Sequence, residues 1–324
     1  MSGKKKLRIA IGTVVGVLLL VLLAGIVILH RELNRISYEE TVTELPVIDP
    51  EFANENGFSL PEGEAIYDAD ILNVLFLGTD YQISDGDHGR ADSNILCSLD
   101  LKKGNIRLVS FERGIGVPIP GHGSDLLTHA YQWGGPELSQ SIISQMFRVD
   151  INGYAQVDFG SFAEIIDAIG GVDVELTELE AKALNGEVVT NAWTEAEVHE
   201  GWNHLNGHDA LEYCRLRFID SDWNRQQRQR TVLKQMQAAC HDLSPVELVK
   251  LADTVLPMIH TNLSRPEVLS VIQSLPKLAR GSVTQLQVPD KNSTEGYIRC
   301  VTDYESKKIA NFLYDAGYEI QSPY

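Results

Sequence analysis

Ile9 to Leu29 reads IAIGTVVGVLLLVLLAGIVIL, twenty-one residues without a charge, and no other stretch restricts so strongly what the chain can become. At a helical rise of about 1.5 Å per residue the run crosses the roughly 30 Å hydrocarbon core of a bilayer. It is expected to be a transmembrane helix. Lys4, Lys5, Lys6 and Arg8 precede it, and basic residues tend to stay on the cytoplasmic side, which puts the tail 1–8 in the cytoplasm and everything after about His30 outside the cell. The run is long for a cleaved signal peptide, and no small-x-small site with a polar exit follows it, so a permanent anchor is expected.

From Ile36 to Gly89 there is neither Lys nor Arg, while Glu39, Glu40, Glu44, Asp49, Glu51, Glu55, Glu62, Glu64, Asp68 and Asp70 accumulate among Pro46, Pro50 and Pro61. Residues 30–69 therefore read as an extended acidic spacer between membrane and domain. The formal net charge of −18 argues against nucleic acid as a general partner, because such a surface needs a broad basic face.

Residues 70–324 are expected to form the folded domain. Ile71 to Leu77, ended by Gly78, suits a strand buried on both faces, and Ser93 to Asp100 and Ile106 to Phe111 read as a hairpin around Lys102-Lys103-Gly104-Asn105. Leu126 to Trp133 is a short element ended by Gly134-Gly135, and Glu137 to Phe147 has helical spacing. Ala155 to Phe159 and Val172 to Leu176 read as strands, with a helix from Ser161 to Ile169 between them stopped by Gly170-Gly171. Residues 177–200 read as a polar insertion or helical flap. Ser244-Pro245 and Ser264-Arg265-Pro266 look like capped helix starts, Val283 to Val288 and Tyr297 to Val301 like strands, and Asp303 to Ala316 like a last helix. This alternation indicates an α/β domain with helices on both faces of the sheet.

Positive charge is concentrated in one place. Glu212 to Arg230, EYCRLRFIDSDWNRQQRQR, holds five arginines in nineteen residues. Tyr213 to Phe218 alternates as a strand would, aiming Arg215 and Arg217 the same way. Ser221 or Asp222 is the N-cap of a helix reaching about His241, which would set Arg225, Arg228 and Gln229 on one face. Forked guanidinium donors beside a helix N-terminus suit an anion with several oxygens, such as phosphate. Asp80 and Asp92 flank a loop containing Arg90, and such carboxylates suit a hard cation like Mg²⁺ that keeps open positions for phosphate oxygens. Cys97, Cys214, Cys240 and Cys300 lack metal-ligand spacing, so zinc is not expected; they are either disulfide partners or buried thiols.

The order GTD at Gly78 to Asp80, GRAD at Gly89 to Asp92, SFER at Ser110 to Arg113, THAYQWGG at Thr128 to Gly135, then VDFGSFAEIIDAIGGVDVEL, HLNGHDALEYCRLR and RQQRQ resembles the LytR-CpsA-Psr family of Gram-positive bacteria. The resemblance is clearest over residues 70–240. It implies an α/β/α sandwich with a central mixed sheet, a lipid tail in an apolar tunnel, and a pyrophosphate at its mouth. The implied activity is a membrane-anchored phosphotransferase that moves a glycopolymer from a polyprenyl-pyrophosphate carrier to peptidoglycan. Carried over residue by residue, Asp80 and Asp92 would hold Mg²⁺ or Mn²⁺, and Arg90, Arg113, Arg215, Arg217, Arg225 and Gln229 would bind pyrophosphate, with Arg113, Arg215, Arg217 and Asp92 taking part in catalysis. Where the family usually has Pro-Arg-Asp this chain has Glu112-Arg113-Gly114, so a general base assigned to that aspartate would be absent. The rival readings are a pyrophosphate-lipid hydrolase and a non-catalytic receptor for the lipid-linked polymer. A transcriptional regulator is disfavoured, since no DNA-reading element is apparent.

Overall fold

The computed structural model describes residues 37–38, 45–80, 89–188, 190, 192–290 and 298–323. The expected transmembrane helix Ile9 to Leu29 lies outside them, as do the loop residues 81–88; among the described residues no helix is long and apolar enough to cross a membrane.

Seven strands form a mixed sheet: β1 (Ser37–Tyr38), β2 (Ile71–Thr79), β3 (Ala91–Asp100), β4 (Ile106–Phe111), β7 (Gly153–Asp158), β10 (His260–Thr261) and β11 (Val283–Val288). Their order is β1-β10-β7-β2-β3-β4-β11. The hairpin β3–β4 is antiparallel, as its turn sequence requires, whereas β2 runs parallel to β7 and β4 parallel to β11. Two further hairpins stand apart, β5 (Gly116–Ile119) with β6 (Gly123–Leu126), and β8 (Val172–Leu176) with β9 (Gly201–Leu205).

The period of two along β2 explains the layering. Leu75 and Leu77 pack in one core with Ile142 and Ile143 of α2 (Leu127–Phe147) and Ile309 and Leu313 of α9 (Thr302–Tyr314). Leu72 and Val74 point the other way, into a core with Val268 and Leu278 of α8 (Arg265–Leu278). Helices thus cover both faces of a central mixed sheet, as expected. A third cluster lies under α4 (Glu178–Leu184) and α5 (Gly207–Arg215), where Val172 and Val174 of β8 meet Ala183, Ala210 and Tyr213.

Two expectations change outright, the spacer and the arginine-bearing strand, whereas residues 177–200 follow the helical alternative at their start. The acidic stretch is not a spacer up to Ala69: Asp49 caps a short helix α1 (Pro50–Glu55), and Ile48, Ala53 and Phe58 are buried in the first core. Three apolar side chains leaving water outweigh the surrounding charges, which stay at the surface. Tyr213 to Phe218 is not a strand, because Asn206 caps α5 by accepting from the Asp209 N–H, and the helix runs to Arg215. Residues 177–200 begin with α4, closed by a capping box between Thr177 and Glu180. The segment Tyr297 to Val301 supplies one bridge, Ile298 to Ile115, with residues 291–297 outside the described part.

Candidate active site

The C-terminal end of β2 and the start of β3 deliver Asp80 and Asp92 to one edge of the sheet. Asp80 Oδ1 accepts the backbone N–H of Arg90 at 2.9 Å, fixing the neck of the intervening loop. Arg113 follows β4 and donates to Asp92 Oδ1 at 2.6 Å. From the opposite side comes α6 (Asp222–Ala239), which Ser221 caps through the Asn224 N–H. Asp222, in its first turn, lies 2.9 Å from Arg225 Nε and 3.3 Å from Arg113 Nε, while Arg225 donates to the backbone oxygen of Asp92 at 3.0 Å. Asp92, Arg113, Asp222 and Arg225 therefore close a ring of alternating charge. Burial pushes the Asp222 carboxyl up, but Arg225 and Arg113 outweigh it and hold the group below its ordinary range.

These residues stand at the mouth of a cavity of about 640 Å³ whose walls are largely apolar. Asp80, Asp92, Arg113, Arg215, Arg217, Arg225 and Gln229 line it together with Ile95, Leu108, Ile165, Leu233 and, deeper, residues of α7 (Pro245–Val255) and α8 such as Leu248, Ala252 and Val271. The arrangement is a charged collar on an apolar sleeve. It suits an amphiphile with a polyanionic head and a hydrocarbon tail.

Arg215 and Arg217 reach the collar from the end of α5 and the turn after it, not from a strand. Both are exposed. Arg215 is held by Glu212, 2.5 Å away, and its guanidinium lies over the Phe159 ring at 5.1 Å; Arg217 lies over Phe218 at 5.8 Å. Arg225 and Gln229, four residues apart, share the face of α6 that lines the cavity, as their spacing predicts. Arg228 does not join them: it is buried against Glu180, Asp220 and the Leu216 carbonyl. Arg230 turns to Gln287 at 2.9 Å, and burial pulls it down to about 10. So the five arginines divide, three at the mouth and two inside the packing. Arg90 is exposed, and its backbone N–H is bonded to Asp80.

Reasoning from the sequence overlooked Asp222 as an arginine clamp, and Glu212 and Phe159 as the supports of Arg215. The signal was present in the spacing of Asp222 to Arg225 and Glu212 to Arg215, each three apart on a helix. Glu112, the acidic residue beside Arg113, does not line the cavity; it is buried near Cys300, whose thiol it helps to push up after the larger effect of burial. All four cysteines are free thiols, and burial raises Cys97 and Cys214 to about 12. Tyr131 is buried in the first core, whereas His129 is bonded to Asp125 at 2.8 Å.

Asp80 and Asp92 are a fitting pair for a hard cation whose remaining ligands are waters and phosphate oxygens. Among the described residues no group of three or more His, Cys, Asp and Glu side chains gathers. A cation here would depend on the substrate to complete its shell.

The sequence model of the LytR_cpsA_psr family matches residues 48–315. The chain belongs to the LytR-CpsA-Psr family. The match also covers Ile48, Ala53 and Phe58, consistent with their burial. Among curated relatives, a polyisoprenyl-teichoic acid–peptidoglycan teichoic acid transferase TagU of Oceanobacillus iheyensis is 28% identical over 302 residues, 90% of this chain and 88% of the relative. The corresponding TagT of Bacillus subtilis is 29% identical over 228 residues, 68% of each chain. The LytR-CpsA-Psr fold is matched by the solved structure "TagT bound to LIIa-WTA", with a TM-score of 0.62 and 25% identity over 86% of this chain and 99% of that one. A TagT structure with bound octaprenyl pyrophosphate lipid shares the fold at a TM-score of 0.57 and 22% identity, with 86% of this chain and 99% of that one covered.

Proposed function

We propose that this chain is a membrane-anchored phosphotransferase that moves a glycopolymer from a polyprenyl-pyrophosphate carrier to peptidoglycan outside the cell. The observation that carries the reading is the joining of an arginine-rich mouth to an apolar cavity of about 640 Å³, since a prenyl chain and a pyrophosphate need those two environments in contact. The TagU and TagT relatives, named as teichoic acid transferases to peptidoglycan, support the reaction class.

In this reading the prenyl tail lies under α7 and α8, and the pyrophosphate meets Arg113, Arg215, Arg217 and Arg225. A hydroxyl of the acceptor glycan attacks the polymer-side phosphorus, the bond from that phosphorus to the bridging oxygen breaks, and polyprenyl phosphate leaves. In this reading the hydroxyl proton passes to one of the two carboxylates at the mouth, Asp92 or Asp80. Charge developing on the phosphoryl oxygens meets preorganised guanidinium groups, which Asp222, Glu212 and Phe159 hold in position before substrate arrives. A Mg²⁺ or Mn²⁺ ion held by Asp80 and Asp92 would supply further neutralisation of phosphate oxygens. Gly114 offers no carboxylate, and buried Glu112 does not replace one.

Arg215 and Arg217 test the assignment cleanly because both are exposed. Arg215→Ala and Arg217→Ala should each slow transfer by roughly 10²- to 10³-fold with the circular dichroism spectrum unchanged. Wild-type turnover in either variant would remove the arginines from the reaction.

A further inference from the structure

Arg113 and Arg225 are held at the mouth by Asp222, and Arg215 by Glu212 and Phe159. Arg217 lies over Phe218, a ring itself 62% exposed, and what fixes it is the backbone from which it springs. Leu216, the residue before it, ends α5 and buries its side chain completely, in the same cluster as Val232 of α6. The Leu216 carbonyl shares a peptide plane with the Arg217 nitrogen. Arg228 Nη1, from α6, donates to that oxygen at 3.0 Å. Carbonyls at the end of a helix lack partners within it, and a cation there also meets the negative end of the helix dipole.

The same guanidinium donates from Nε to Glu180 Oε1 at 2.6 Å, from Nη1 to Asp220 Oδ1 at 3.2 Å, and from Nη2 to Asp220 Oδ2. Glu180 is fixed in its turn, because its other oxygen accepts the Thr177 N–H and hydroxyl, each at 2.9 Å. Burial pulls Arg228 down, but Asp220 and Glu180 outweigh it and keep the group above its ordinary value. One planar fork therefore bonds both ends of the turn 216–220 that carries Arg217. Helix α6 bonds the Asp92 carbonyl through Arg225 and, about one turn later, grips the turn of Arg217 through Arg228. Both halves of the collar take their position from this one helix.

We infer that Arg228 is the positioning residue for Arg217: its fork fixes the peptide from which Arg217 leaves the chain, and so sets where that guanidinium meets the phosphate. An ion pair serving packing alone needs only the two carboxylates; the bond to the Leu216 carbonyl ties the group to the site. That Arg217 meets phosphate rests on the phosphotransferase reading. The hold of Arg228 on the turn does not.

Two readouts on the full-length protein in detergent micelles test this. Arg228→Lys keeps the charge but loses the fork. Affinity for a polyprenyl pyrophosphate, measured by calorimetric titration, should then fall roughly tenfold, whereas in an Arg217→Ala background the same substitution should change it less than about twofold. Equal losses in both backgrounds would make Arg228 a packing residue and overturn the inference. The second readout needs no ligand, because trypsin cleaves after arginine and a loosened turn presents the Arg217–Phe218 bond through local opening. Cleavage there under native conditions, located by mass spectrometry, should be about tenfold faster in Arg228→Lys than in the wild type. Arg230→Lys, at a comparably buried arginine of α6 that bonds Gln287 instead, should be cleaved there at the wild-type rate. Unchanged cleavage in Arg228→Lys, or equal acceleration in Arg230→Lys, would contradict the hold on the turn. If the wild type binds no polyprenyl pyrophosphate, the phosphotransferase reading fails, and proteolysis decides the positioning by itself. Should Arg228→Lys not fold, Asp220→Asn, which weakens the joint at its more exposed partner, is judged by the same readouts.

Discussion

Asp222 holds two of the arginines a phosphate would engage, and its own ionisation reports on that clamp. Removing its charge leaves Arg113 and Arg225 facing each other across the mouth, partly desolvated. Asp222→Asn should lower stability by about 3 kcal/mol at neutral pH, read from urea midpoints. Because the folded carboxyl titrates below its unfolded value, its contribution is complete above the unfolded pKa and is lost as the pH falls through the folded one. The difference in midpoint between wild type and Asp222→Asn should therefore shrink on acidification below about pH 4; a constant difference down to pH 2 would mean that Asp222 is not clamped by charge. At this scale the sequence discloses the participants better than their partnerships. Asp80 and Asp92 are read from residue type and loop position and Arg225 from helical spacing, while Arg113 enters only with the family resemblance; Arg228 is misplaced, because spacing alone does not tell which neighbour waits on a helix face. Here Glu180, from an element forty-eight residues earlier, draws it inward.

Element boundaries show the same division between local and distant information. Strand-like alternation over six residues from Tyr213 also fits the end of a helix, and the deciding signal, Asn206 as N-cap, lies before the arginine-rich stretch begins. The Asp49-Pro50 start of α1 carries the same cap-plus-proline signature that marks Ser244-Pro245, yet acidic composition conceals it. One close approach fixes how α5 delivers Arg215. At Gly207 an added Cβ would stand 2.0 Å from the Ala163 carbonyl oxygen of α3 (Phe159–Ile169), the helix that also contributes Phe159 beneath Arg215. Gly207→Ala must push the two helices apart, which should cost roughly 1–3 kcal/mol and slow transfer by loosening Arg215 from Phe159. Thermal unfolding and turnover measured together check this; full activity with a lowered melting point would separate helix seating from arginine placement.

The whole molecule joins a polar reaction edge to an apolar interior, and the size of that interior sets a test of its own. Ala252 lines the cavity under α7, and Ala252→Trp would fill space that a long prenyl chain needs. Affinity for a long-chain polyprenyl pyrophosphate should fall at least tenfold, while a short, soluble prenyl pyrophosphate binds as before; equal loss for both would place the tail elsewhere. The sheet is largely legible because β2, β3 and β4 are mostly buried runs bounded by turn residues. The cavity is not, since its lining comes from helices whose mutual orientation periodicity does not fix. The central claim is transfer, and product analysis tests it most directly. The full-length protein is given a glycan-bearing polyprenyl pyrophosphate, Mg²⁺ and peptidoglycan oligomers, and products are identified by mass spectrometry. Glycan joined to peptidoglycan through a phosphodiester, with polyprenyl phosphate released in equal amount, is the predicted result; bound lipid left intact, or lipid cleaved without any joined product, would contradict it.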